Sequence, residues 1–395
     1  MDYDVVIVGG GPAGLLAARE IARAGRRVCV VEEHPEIGYP VKCSGLYSVS
    51  GLAVLDLKLD ESIISSTIKG GRFYSPGGKE LLAYSDVERA RVVEKKLFDK
   101  FLAKEAARAG AEFMLKTKVA AVKINGVVLV KAEGMHRGEL SSELIIGADG
   151  IRSNVARWAG LKISKKIVAA AQVEVDSVDL EKDIAEVYLG RNYAQNFYAW
   201  ILPKENVYEV GVGVREPKAG VMDYLHRFME QHPVASKKIK SKSILEFNAG
   251  GFSVEVARDT VAERTLIVGD AAGQTKASTG GGVITGGIAA RIAGRACVKA
   301  LEEENFSKEF LKENYEDEWK KEIGFELEVH AALRNMLDSL SDAQLDELFD
   351  LAVQEKISEL MIKYQDTDRP SHFVKELLKN ERMLNAVQRF LDLKL

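Results

Sequence analysis

Three separated stretches of this chain carry residue types that hold phosphate and ribose. The first runs Val5-Val-Ile-Val-Gly9-Gly-Gly11-Pro12-Ala13-Gly14, with Glu32 and Glu33 after the next apolar run. The second is Gly147-Ala-Asp149-Gly150, and the third is Gly269-Asp270-Ala-Ala followed by Gly280-Gly281-Gly282-Val283. In the first, a short apolar run reads as a buried parallel strand. Gly9 permits a tight turn, Gly11 lets the backbone approach a pyrophosphate, and Gly14 lets the helix that starts near Pro12 pack on the strand. The N-terminus of that helix favours phosphate charge. Glu32, at the end of the second strand (Arg27 to Val31), can accept hydrogen bonds from a ribose hydroxyl.

A glycine-rich turn alone is weak evidence for any cofactor. The later stretches decide between dinucleotides. Asp149 and Asp270 each follow a short apolar run, where flavoproteins place an acid against ribose or ribityl hydroxyls. The glycine triplet opening a helix at Val283 would bring backbone N–H groups toward the pyrimidine edge of an isoalloxazine, stabilising the reduced, anionic ring. In this order the three stretches point to FAD and to an oxidoreductase. For Asp270 the competing reading is a helix N-cap, and for the triplet a plain loop.

Further motifs resemble the geranylgeranyl reductase family, within the larger group related to p-hydroxybenzoate hydroxylase. They are Pro35-Glu-Ile-Gly38-Tyr-Pro40-Val-Lys-Cys43, Phe197-Tyr198-Ala-Trp200-Ile-Leu-Pro203-Lys204 with Gly211-Val-Gly213, the third stretch above, and Asp368-Arg-Pro-Ser-His-Phe-Val. The resemblance spans nearly the whole chain and is close to the archaeal members. Ser44-Gly45-Leu46 departs from the Gly-Glu-Gly usual after the cysteine, Leu202 replaces a Phe, Ala277 a Pro, and Lys95 a common Arg. The resemblance implies reduction of isolated C=C bonds in geranylgeranyl chains of isoprenoid lipids, by hydride from flavin N5 plus a proton. It adds Cys43, Ser44, Gly45 and Lys95 to the FAD-contacting set and makes Cys43 and Tyr198 the candidate catalytic residues, with an ordered water as another candidate acid and a redox partnership or plain pocket lining as the other readings of Cys43. Tyr198, Trp200 and Pro203 become the candidate wall for an isoprenoid chain, with sheet core as the plainer alternative. With no second glycine-rich fingerprint for NAD(P)H, a small carrier such as ferredoxin is the implied electron donor. A flavin monooxygenase and a non-enzymatic electron carrier remain as alternatives.

These motifs need elements to position them. The expected fold is α/β: a Rossmann-like FAD-binding domain from residues 1–45, 92–160 and 257–301, interleaved with a mixed or antiparallel sheet from 46–91 and 161–256. Alternating strand signals at Ala170 to Val175 and Tyr208 to Val214 support the sheet, and Val221 to Gln231 reads as a helix beside it. Residues 302–395 read as a charged C-terminal helical region.

A chain of 395 residues with net charge −4 has room for both domains and no general drive toward nucleic acid. No apolar run is long enough to span a bilayer, and no signal segment precedes the first strand. The three cysteines form no paired or metal-binding pattern. Cys29 reads as core, and so does Cys297, for which a bridge to Cys43 is the testable alternative. The expected location is cytoplasmic, with peripheral contact at the inner face of the membrane. Ile357, Leu360, Met361, Phe373, Val374, Leu377 and Leu378, flanked by lysines, are one candidate for such contact; packing of the C-terminal helices onto the body is the other.

Overall fold

The structure is a computed structural model that describes residues 1–241, 243–257, 259–364 and 366–390. The chain forms two compact units: residues 1–41, 95–166 and 252–327 make the first, and 42–94, 167–251 and 328–395 the second.

In the first unit, six strands lie in the order Val261–Ala262, Thr265–Ile267, Leu144–Gly147, Val5–Val8, Val28–Val31 and Glu112–Met114. The outermost pair is antiparallel and the rest are parallel. The central strands are buried throughout, which their unbroken apolar sequences require. The register aligns Val8 with both Val31 and Gly147, and Gly147 with Ile267. The chain therefore leaves four strands at one carboxyl edge. Gly9, Glu32, Asp149 and Asp270 all follow directly from that edge, where open parallel sheets bind ligands. The helix Pro12–Arg23 packs on this sheet and the helix Val283–Glu302 packs against that helix, and a small antiparallel sheet of Thr117–Ile124, Val128–Gly134 and Gly138–Ser142 completes the unit.

The second unit is built on a seven-stranded sheet in the order Ile244–Ser253, Ile167–Val175, Tyr208–Arg215, Ala199–Pro203, Ile184–Tyr188, Gly70–Tyr74 and Glu80–Tyr84. One face packs on the helix Val221–Gln231: Ala199, Ile201, Val210, Val212 and Val214 meet Tyr224, Leu225 and Phe228. The alternate residues of the same strands face the other way, and Tyr198, Trp200 and Leu202 cluster there with Ile68, Val92 and Ala185. A three-stranded sheet of Leu46–Ser48, Ala90–Val93 and Ile64–Ile68 supplies two of those partners.

The C-terminal residues are helical, as expected, and they pack onto both units. Tyr315 and Trp319 are buried in the first unit, where the Tyr315 hydroxyl donates to the Ile267 carbonyl at 2.5 Å and the Trp319 indole donates to Thr260 at 3.0 Å. Further on, Ile357, Met361, Phe373 and Leu377 pack with Leu81 of the second unit's edge strand. Short amphipathic helices cannot bury an apolar stripe by themselves, so each docks on a sheet. One expected boundary needs correction: Cys43 to Gly45 belong to the second unit. The Gly45 carbonyl accepts from Val93 N–H at 3.0 Å, and that backbone pairing captures the loop. Among the described residues no helix is long and apolar enough to cross a membrane, and no cluster of side chains has metal-ligand composition.

Candidate flavin site and aromatic face

The glycines of the first stretch divide their work. Gly9 has φ +108, and a Cβ there would meet the Ala148 carbonyl well inside the 3.0 Å that real Cβ contacts respect. A Cβ on Gly14 would strike the Gly9 carbonyl in the same way. At Gly11 an added Cβ meets nothing within 4 Å. Open space thus lies over the turn, just where the helix Pro12–Arg23 begins with Pro12, without a side-chain cap on its N–H groups. Ala13 lies on that first turn, and its methyl sits 2.9 Å from where a Cβ of Gly269 would stand. The Glu32 carboxylate accepts from Gly10 N–H at 2.7 Å and from His34 N–H at 2.9 Å, so it braces the turn from the neighbouring strand. Glu33, the next residue, is exposed.

Asp270 comes together with the glycine triplet. It is half-buried, accepts from Thr275 Oγ1 at 2.8 Å, and lies 3.2 Å from where a Cβ of Gly282 would stand. Burial raises its carboxyl above the ordinary aspartate range, while the Thr275 hydroxyl and Lys95 work the other way. The alternative reading of Asp270 as the cap of the triplet's helix does not hold. That 20-residue helix, Val283–Glu302, starts from Gly282 with no side-chain cap. Each triplet glycine has a steric reason: Cβ atoms there would meet the Phe252 ring, the Lys276 side chain, and Thr275 with Asp270. Lys95 opens the helix Lys95–Ala109 and is ion-paired with Asp99, one turn on. Asp149 takes a local role. Its carboxylate accepts from Ser153 Oγ at 2.5 Å and from the N–H groups of Asn154 and Val155 at 2.7 and 3.1 Å, capping the helix Asn154–Trp158. Gly150 follows it with φ +73.

In the second unit, Cys43 Sγ accepts from Gly45 N–H at 3.5 Å and lies 3.8 Å from the Tyr47 hydroxyl; Ser44 is half-buried between them. Tyr198 is half-buried, and desolvation holds its phenol well above the ordinary value, with Arg334 opposing and the Cys43 thiol adding to the effect. Tyr198 directly precedes the strand Ala199–Pro203, and its ring lies 5.9 Å from that of Trp200, edge to face. The cross-strand partner of Trp200 is Gly211, and the indole fills the space a Gly211 side chain would need. Phe197 likewise lies across Gly213. Gly211-Val-Gly213 is therefore glycine so that two aromatic rings can lie flat on the sheet. Gly211→Ala is expected to displace the indole, altering the tryptophan bands in near-ultraviolet circular dichroism and costing about 1–3 kcal/mol of stability by urea unfolding. Pro203 ends the strand, and its carbonyl accepts from Ser66 Oγ at 2.7 Å. None of the three cysteines is in a disulfide, and the Cys297 thiol is fully buried in the first unit, where desolvation holds it protonated.

Comparison with known proteins agrees with this geometry. Residues 2–322 match the FAD binding domain family. A digeranylgeranylglycerophospholipid reductase of Methanocaldococcus jannaschii is 36% identical over 354 residues, covering 88% of this chain and 89% of that protein. The chain belongs to the family of digeranylgeranylglycerophospholipid reductases. Digeranylgeranylglycerophospholipid reductase 2 of Methanothermobacter thermautotrophicus is also 36% identical, over 92% of this chain and 96% of that protein. A solved structure from Thermoplasma acidophilum, described as geranylgeranyl bacteriochlorophyll reductase-like, superposes with a TM-score of 0.86 at 31% identity, covering 98% of this chain and 99% of that one. The cofactor of this FAD-dependent oxidoreductase fits the first unit on its own evidence of shape: an open turn at Gly11, an uncapped helix N-terminus, and a half-buried acid beside a glycine triplet.

The motifs that mark the family in sequence do not include every polar residue on the aromatic face. Glu209 is 1% exposed and accepts from Trp200 Nε1 at 3.0 Å. Burial pushes its carboxyl up to about 7, against the pull of Lys204 and of the indole N–H. Lys204 is itself buried. Burial works against its charge, but Glu209, Glu174 (2.5 Å) and Glu94 (3.5 Å) hold the ammonium above its ordinary value. The signal in sequence was a lone acid at the start of an otherwise apolar strand, in phase with Gly211 and Gly213. Arg334 is the second missed residue. It is buried, paired with Asp338 at 2.6 Å, and stands over the Phe197 ring at 5.4 Å. In sequence it is the one cation within the helical stripe Leu333, Met336, Leu337 and Leu340.

Proposed function

We propose that this protein saturates isolated C=C bonds of geranylgeranyl chains in archaeal-type ether lipids or their precursors. One observation carries the reading. The same chain holds an FAD-shaped cradle and a dry aromatic sheet face, and its relatives across nine-tenths of its length are reductases of such lipids. FAD, when bound and reduced, would supply the hydride. The cradle residues proposed to hold it are Gly9, Gly11, Pro12, Ala13, Gly14, Glu32, Glu33, Lys95, Asp149, Gly150, Asp270, Gly280, Gly281, Gly282 and Val283, with Cys43, Ser44 and Gly45 contributed by the loop. Asp149 would then act through the turn it caps.

An isolated trisubstituted alkene is not polarised, so hydride alone reduces it poorly. A proton must reach the less substituted carbon, and the cation that develops on the other must be kept from water. Tyr198, Trp200 and Leu202 supply the water-free surface. Tyr198 stays protonated at neutral pH on this half-buried face, and Cys43 Sγ lies in its electrostatic reach; these two groups are the proposed proton donors. A small carrier such as ferredoxin is the proposed source of electrons.

The test is anaerobic. The FAD-loaded protein is reduced with dithionite, mixed with a geranylgeranyl ether lipid, and the product mass followed. Each double bond reduced is expected to add one molecule of hydrogen. Unchanged lipid beside a fully reduced flavin would reject these chains as substrates. Tyr198→Phe and Cys43→Ala are each expected to slow the reduction by about 10²–10⁴-fold where the residue donates the proton, with FAD still bound.

A further inference from the structure

The outermost strand of the seven-stranded sheet, Ile244–Ser253, pairs on one side with Ile167–Val175. Its first half is exposed and apolar: Ile244, Leu245 and Phe247 are 47%, 58% and 51% accessible. Successive residues of a strand point to opposite faces, so Ile244 and Leu245 project on both sides of the sheet. Sheet edges are ordinarily blunted with charge, proline or a covering element. This one has three large hydrophobics within four residues, interrupted only by Glu246.

The chain just before this tip is cationic. Residues 236–248 hold four lysines against the single acid Glu246. Lys237 and Lys240 are exposed, while Lys238 is paired with Glu186. Backbone bonds from Lys240 N–H and Ser241 N–H to the Ser177 carbonyl fix the lysines beside the tip, next to a turn carrying Asp176 and Asp179. Those acids offset part of the positive charge, so the apolar side chains dominate the character of the patch. The far end of the strand reaches the loop that carries Cys43. Gly250 lies against Lys42, whose Cβ would be 3.2 Å from a Cβ on the glycine, and the next residue is Cys43. At the rise of a strand, Gly250 is about 20 Å from Ile244.

We propose that Ile244, Leu245 and Phe247 insert into the interfacial region of a lipid bilayer, steadied by Lys237 and Lys240, and that the strand behind them leads a lipid chain to the Cys43 loop. The bilayer is favoured over a second copy of the chain by the exposure on both faces. A strand added by a partner covers an edge, whereas fluid hydrocarbon solvates side chains that point in opposite directions. The lysines fit an anionic headgroup layer. The second clause rests on the lipid-reductase reading above; the first stands without it.

The FAD-loaded protein is to be sedimented with vesicles of phosphatidylcholine and with an equal mixture of phosphatidylcholine and phosphatidylglycerol. The triple variant Ile244→Ser, Leu245→Ser, Phe247→Ser is expected to lose binding to both by about tenfold or more. Lys237→Glu with Lys240→Glu is expected to lose roughly tenfold on the anionic vesicles and little on the neutral ones. Val87→Ser, at an apolar residue 56% exposed elsewhere, is the control and is expected to bind like the parent. Vesicle binding by the triple variant equal to the parent's overturns the proposal. So does a concentration-dependent dimer in analytical ultracentrifugation that the triple variant abolishes while vesicle binding persists.

Activity separates this idea from the function it builds on. The triple variant is expected to reduce detergent-dispersed lipid at the parent's rate and vesicle-embedded lipid at least about tenfold more slowly. A parent protein that binds vesicles but reduces lipid in neither form would leave the tip in place and reject the reductase reading.

Discussion

Gly11→Ala is expected to leave the fold as stable as the parent while weakening FAD binding by about a hundredfold, near 3 kcal/mol, because a methyl would occupy the space over which a pyrophosphate approaches the backbone. The reason lies in what surrounds each glycine. At Gly11 nothing stands within 4 Å of an added Cβ, so the folded chain accepts the methyl without strain. Gly14→Ala makes the contrasting case. Its Cβ would press into the Gly9 carbonyl, which is held by the strand and turn and has no side-chain freedom with which to yield. Helix and strand must separate, and the loss is expected to exceed 3 kcal/mol on the scale of overpacked cores. Urea unfolding of the flavin-free proteins and equilibrium titration with FAD check the two halves independently. Equal FAD affinity in the Gly11→Ala protein would show that the turn is not a phosphate cradle.

Glu209→Gln is expected to be more stable than the parent above pH 7 by about 2–3 kcal/mol, with the advantage vanishing toward pH 4.5. Burial raises the Glu209 carboxyl from its ordinary 4.5 to about 7. Between these values the native state keeps a proton that the unfolded chain has released, so the native state binds more protons. Stability therefore falls as pH rises through this window, and the cost is complete once pH exceeds the folded value. Glutamine does not ionise and escapes the cost, yet its amide oxygen can still accept the Trp200 N–H bond. Glu209→Leu removes that acceptor and is expected to release the indole. In protein labelled with 15N-tryptophan, the Trp200 N–H resonance, assigned with Trp200→Phe, should titrate near pH 7 in the parent and stay still in Glu209→Gln. A Trp200 resonance that ignores pH, or equal stability curves for parent and variant, would show that Glu209 is not the titrating group beside the indole.

The flavin motifs were legible in the sequence because each is a local device. A glycine turn, a strand-terminal acid and a helix start lie close together in the chain, and their steric demands are met by near neighbours. Helix Val221–Gln231 was legible for a related reason: its apolar residues recur at helical spacing, and it begins and ends where that spacing predicts. Even local devices left a choice open. Asp149 spends its carboxylate on its own helix rather than pointing it away from the strand, and only the conformation of Gly150 to Asn154 decided that.

Position along the chain left one question open. Residues after 302 read as a charged helical region, with nothing to say where its helices dock. Tyr315 and Trp319 are bound into the first unit through Ile267 and Thr260, and Ile357 and Phe373 into the second through Leu81. Apolar spacing tells which face of a helix is buried but carries no information about which surface receives it.

By itself, then, the sequence determined that this chain has a parallel-sheet dinucleotide edge, that the cofactor is FAD, and which family it belongs to. Only the tertiary structure decided what surrounds Trp200. Its neighbours are set by strand register, which places Gly211 opposite it and Glu209 on the diagonal. A shift of one residue would send that whole set to the other face of the sheet. Register follows from the packing of two complete faces, and no short stretch of residues encodes it.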